Sequence, residues 1–141
     1  MKMKKSKILA AFIATSAALT VGGVALGSGS ASAATYNGVC GPGYSVIDHH
    51  DLDGGTIFLT YNNGWNCVVT VRNQPGQAEK MLASLNIFGS SDKHRDSGWY
   101  TTYAGPVFVN APHQCVDWGG GITPPGYENG GVWNVIGGHC G

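Results

Sequence analysis

Residues 47–55 read Ile-Asp-His-His-Asp-Leu-Asp-Gly-Gly and hold the densest set of ligand-type side chains in the chain. His49, His50 and Asp51 are the residue types that bind metals or move protons, and Asp48 and Asp53 flank them with further carboxylates. A calcium loop needs oxygen ligands at alternating positions, then glycine, then a glutamate six residues after it. Around Asp51, Asp53 and Gly54 that register places His49 at the preceding alternate position and Thr60 at the closing one, so two ligands fail. Zinc needs side chains that converge, whereas neighbours in an extended chain point to opposite faces. Asp53-Gly54-Gly55 is turn chemistry. The stretch "HHDLDGG" therefore reads as a polar connection between two strands, with neither metal nor cofactor. Were a metal bound there, His49, His50 and Asp51 would be its candidate ligands.

The remaining chemistry is sparser. No G-x-S-x-G elbow is present, so nothing marks a nucleophilic serine. His94, His113 and His139 stand apart from one another in the chain. Trp118, Tyr127 and Trp133 flank the Gly/Pro-rich run "DWGGGITPPGYENGGVW" and are candidate ligand-binding rings, of the kind that stack on a sugar face. The competing role is core filling, because alternation along a strand turns some of these rings inward.

Strands must position these groups. Beta-forming runs at 44–48, 56–61, 67–72, 99–103, 107–110, 115–118 and 132–136 alternate with Gly, Pro and Asn. The pair 99–103 and 107–110 is interrupted by Gly105-Pro106, and Asn62-Asn63-Gly64 is a hairpin turn. Residues 77–88 fit two periods. Ala78, Met81, Leu82 and Leu85 have helical spacing, while Met81, Ala83, Leu85 and Ile87 alternate as in a strand. Taken as a strand, this segment completes an all-β fold: a small antiparallel β-sandwich or barrel of about seven to eight strands.

The N-terminal stretch reads as something else. Lys2, Lys4, Lys5 and Lys7 precede an apolar run that ends in Ala31-Ser32-Ala33, the layout of a secretory signal peptide over 1–33. Residues 34–141 then form a single disulfide-bonded β domain, with no stable membrane insertion after cleavage. The whole chain has 8 Lys+Arg and 8 Asp+Glu, and the leader takes four lysines and no acid. The remaining 4 bases and 8 acids give 4 − 8 = −4, with no basic stripe along the sequence, which argues against nucleic acid as a partner.

Cys40, Cys67, Cys115 and Cys140 all fall in the exported part, none in a C-x-x-C pair. Four cysteines in a small exported domain read as two disulfides with three possible connectivities. If the first three strands form a meander, the first and third run the same way, and Cys40 and Cys67 lie at one end. Cys115 and Cys140 bracket the last two strands. The expected bridges are Cys40–Cys67 and Cys115–Cys140.

The strings "VCGPGYSVIDHHDLDGGTIFLTYNNGWNCVVTV", "YTTYAGPVFVNAPHQCVDWGG" and "GHCG" resemble the spore-associated protein A family of streptomycetes and related actinomycetes. The resemblance runs through essentially all of residues 34–141. It implies a small secreted, extracellular protein at the surface of spores or aerial hyphae. It brings no catalytic residues with it. The expected function is thus a noncatalytic protein of that surface, with spore-envelope or cell-wall polymers as partners. A carbohydrate- or wall-binding module is the alternative, and a small secreted hydrolase using His49, His50 and Asp51 stands behind both.

Overall fold

A computed structural model of the chain describes residues 32–127 and 130–141. The expected leader lies outside them except for Ser32 and Ala33. Eight strands follow one another: β1 (Ser45–Leu52), β2 (Gly55–Asn62), β3 (Trp65–Arg72), β4 (Glu79–Ile87), β5 (His94–Tyr100), β6 (Tyr103–Asn110), β7 (Val116–Thr123) and β8 (Gly131–Gly138). They form two antiparallel sheets, ordered β1-β2-β3-β6 and β5-β4-β7-β8, which face each other as a sandwich. The all-β reading and the opening meander hold. The ambiguous segment 77–88 is strand β4, because Met81, Ala83 and Leu85 alternate into the core between half-exposed neighbours.

Two boundaries differ from expectation. The stretch "HHDLDGG" is not a connecting loop. His49, His50 and Asp51 pair within β1 against Phe58, Ile57 and Thr56, and only Asp53 and Gly54 form the turn. Two residues suffice because Gly54 takes φ +93°, closing a tight hairpin between Leu52 and Gly55. The second strand of the expected 99–110 pair continues through Gly105-Pro106 as β6, with a bulge there in its ladder with β3. β6 is an edge strand, where a proline costs no ladder bond. Asn63 and Gly64 make the next hairpin turn, both at positive φ, as the Asn-Asn-Gly signature requires.

The core lies between the sheets. Ile57, Leu59 and Val68 of one sheet meet Met81, Leu85, Trp118 and Ile122 of the other. Thr70 of β3 donates a 2.7 Å hydrogen bond to the Leu82 carbonyl of β4, joining the sheets through the interior. Gly120 of β7 leaves the room for it: a Cβ there would lie 2.1 Å from the Thr70 hydroxyl.

The two outer faces are treated differently. On the first sheet, Phe58, Val69 and Val71 are covered by Ala34, Tyr36 and Val39 of the N-terminal segment. That cover is fastened by Cys40–Cys67 and by the Ala34 amide, which donates to the Asn73 side chain at 2.8 Å. The outer face of the second sheet carries no such segment among the described residues. It leaves Trp99, Val132 and Ile136 more than 60% exposed. Cys115–Cys140 joins the entry of β7 to the exit of β8, so both expected bridges form.

Candidate functional site

Strand alternation separates the two neighbouring histidines. His49 points outward and stacks on Phe58, with ring centroids 6.3 Å apart. His50 points to the inner side and lies flat on Trp133 of β8, at 3.9 Å and an interplanar angle of 5°. Asp51 accepts a 2.8 Å hydrogen bond from the Thr56 hydroxyl. The three metal candidates therefore do not converge. No group of three His, Cys, Asp or Glu side chains among the described residues is arranged to hold a metal ion.

The tertiary fold instead joins this segment to the tryptophan-bearing strands. Trp133 meets Trp118 edge-on, with centroids 4.9 Å apart. Trp118 in turn lies 6.3 Å from the His139 ring. His139 Nε2 closes the set on Asp48 Oδ2 at 2.8 Å. Asp48, His50, Trp133, Trp118 and His139 thus bridge the open edge of the sandwich, where β1 and β8 lie on opposite sheets. Asp48 and His50 both follow the bulge between Val46 and Asp48 in β1, two residues apart in regular register, so strand alternation turns them to the same side.

This arrangement corrects the expected trio of ligand-binding rings. Trp118 is 1% exposed and belongs to the core, so its face is closed to a sugar. Its indole Nε1 is buried without a hydrogen-bond partner among the described residues. Trp133 is held between His50 and Trp118. Tyr127 is 70% exposed and stands apart from both. The signal for Trp118 was present in the sequence: it lies an even number of residues from the core positions Val116 and Ile122 of β7.

The Asp48–His139 pair has the geometry of a carboxylate orienting an imidazole. Catalysis by such a pair needs a nucleophile or a bound water on the other ring nitrogen. Among the described residues no Ser, Thr or Cys side chain is hydrogen-bonded to a histidine, and every cysteine is bridged. What the pair does in this structure is tie β1 to the segment after β8. Beside it, Ile47, Tyr61, Asn66, Ala111 and His113 line a mainly apolar cleft of about 280 Å³ at one end of the sandwich.

The chain is 43% identical over 137 residues to spore-associated protein A of Streptomyces coelicolor, covering 94% of this chain and 85% of that protein. The chain belongs to the spore-associated protein A family. No family model matches it, and no solved structure does. The spore-associated protein A family is therefore represented here by an eight-stranded, doubly bridged sandwich. Among the described residues of this member, no helix is long and apolar enough to cross a membrane.

Proposed function

We propose that this protein is an exported, noncatalytic component of the spore or aerial-hypha surface. The observation that carries the reading is the 43% identity, over nearly the whole chain, to a protein named for its association with spores. Export is supported by the basic start, the apolar run and Ala31-Ser32-Ala33, and by two disulfides, which persist in oxidising compartments. A noncatalytic role is supported by a histidine–carboxylate pair engaged in tying β1 to the segment after β8 and by bridging of all four cysteines.

The test is direct. Washed spores and culture medium should yield a chain that begins at Ala34 or Thr35, detected by N-terminal sequencing. Labelled antibody should reach it on intact spores without permeabilisation. A chain that still begins near Met1, or label confined to broken cells, would sink the proposal.

A further inference from the structure

The uncovered face of the second sheet is a groove, and its composition is unlike that of the rest of the domain. Gly119 and Gly121 of β7 point outward there and form a floor without side chains. The close approach of β8 excludes a side chain at Gly119, where a Cβ would lie 2.3 Å from the Trp133 carbonyl, and crowds Gly121, where one would lie 3.0 Å from the Gly131 carbonyl. Val132, Asn134 and Ile136 of β8 rise on one side, and Leu82 and Ser84 of β4 line the floor beside the glycines. Two adjoining hollows, of about 280 and 490 Å³, share Leu82, Arg95 and Val132 and so form one continuous trough.

The basic residues converge on this trough. Residues 34–141 contain four Lys and Arg. Arg72 is engaged elsewhere, paired with Glu79 at 3.0 Å. The other three, Lys80, Lys93 and Arg95, all line the trough, and none is ion-paired among the described residues. Among the described residues one acid, Asp117, also lines it, and its Oδ1 accepts a 2.8 Å hydrogen bond from the Gly137 amide. A domain of net charge −4 thus concentrates positive charge on one face. Trp99 pairs with Lys80 across β4 and β5 and is 64% exposed at that end.

Spacing tells how long a partner must be. Arg95 and Trp99 are four residues apart on β5, and Lys93 is two further back, so the charged line extends over roughly 20 Å. A single small anion would meet one cation and leave the others unused. An extended polymer with repeating negative charge would meet all three. Sugar rings suit the remaining surface, because Ser84, Ser97 and Asn134 can hydrogen-bond hydroxyls and the Trp99 face can stack on a ring's C–H side. A single exposed aromatic ring on the line is too few for a strand of stacked bases.

We infer that the outer face of β5-β4-β7-β8 binds a linear anionic polysaccharide along the trough from Lys93 and Arg95 to Lys80 and Trp99. The identity of the partner as an envelope polymer rests on the surface location proposed above. The binding itself does not, and it is measured on purified protein.

The experiment titrates the mature chain with polygalacturonate, with the same polymer after methyl esterification, and with single-stranded DNA of matched charge. Binding to polygalacturonate should be salt-sensitive, and esterification should weaken it at least tenfold. Replacing Lys80→Ser and Arg95→Ser together should weaken it by about a hundredfold, since each charge-assisted contact is worth roughly tenfold. Trp99→Ala should weaken it further, and Trp65→Ala, on an exposed ring outside the trough, should not. Equal binding of the esterified polymer, an unaffected Lys80/Arg95 variant, or tighter binding of DNA would each overturn the inference. Failure here with the protein still found on spores would refute the trough alone. Success with the protein absent from spores would refute the surface location alone.

Discussion

Gly120 faces the interior between Thr70 and Ile57, and its lack of a side chain sets how closely the two sheets approach. An alanine Cβ there would meet Thr70 Oγ1 at 2.1 Å, the Leu82 carbonyl at 2.7 Å and Ile57 Cγ1 at 3.1 Å. Two of these neighbours are the partners of the hydrogen bond that crosses the core. Overpacking of this kind costs about 1–3 kcal/mol, and more where backbone must move. Gly120→Ala should therefore lower the denaturant midpoint by an amount in or above that range. In a Thr70→Ala background the added cost should shrink, because the nearest clash has been removed. Urea unfolding of the two single variants and the double variant measures this, and strict additivity would rule out the Thr70 clash as the cause.

Passage of the chain from one sheet to the other between β5 and β6 is secured by a single carboxylate. Asp96 accepts from the Tyr100 hydroxyl, within β5, and from the Gly105 amide of β6 at 2.8 Å. On the other flank, Arg72 at the end of β3 donates to the Gln77 carbonyl at 2.7 Å and the Thr101 carbonyl at 3.1 Å. These contacts tie the β3–β4 and β5–β6 connections to one another. The hydrogen bond to Asp96 raises the pKa of Tyr100 above the ordinary tyrosine value, with partial burial and the carboxylate's charge acting in the same direction. The folded state therefore holds the phenol proton more tightly than the unfolded state. Its stabilising effect is fully present below the unfolded tyrosine pKa of about 10 and is lost as pH rises through the higher folded value. Burial also raises Tyr44, so spectroscopic titration should show two tyrosines that ionise late, and one of them should vanish in Tyr100→Phe. That variant should also lose less stability between neutral and alkaline pH than the wild type.

At the scale of the molecule, each bridge fastens a different boundary. Cys40–Cys67 holds the N-terminal segment over Phe58, Val69 and Val71, while Cys115–Cys140 closes the end of the β7–β8 pair. The bridges close loops of 27 and 25 residues. Each is worth about 3.5 kcal/mol in the chain-entropy model, a large share of the 5–15 kcal/mol typical of a domain. Replacing either pair by serine should lower stability by a comparable amount. The consequences should differ in kind. Loss of Cys40–Cys67 frees the segment to lift from an apolar patch, so that variant should bind a hydrophobic dye under native conditions. Loss of Cys115–Cys140 uncovers no such patch and should not. Thermal melts and dye fluorescence on both variants check the two halves of this expectation.

Much of this architecture follows from local chemistry that a sequence carries openly. Strand alternation, the Asn-Gly and Asp-Gly turns and the order of cysteines are short-range signals, and they determined the all-β class, the meander and both bridges. Strand phase was also legible, which is why His49 and His50 were expected to diverge. The length of β1 was not, because His-His-Asp has no strong strand preference, and only its ladder with Ile57 and Phe58 makes it extended. The joining of Asp48 to His139 and of His50 to Trp133 spans 91 and 83 residues and depends on how two sheet edges meet. The same holds for the positive trough. Lys80 is separated in sequence from Lys93 and Arg95, so no basic stripe is visible along the chain. Antiparallel pairing of β4 with β5 brings them onto one face, and the register against β7 places them beside bare glycines. Sequence set which residues could form strands and turns; long-range pairing alone decided which charges and rings became neighbours.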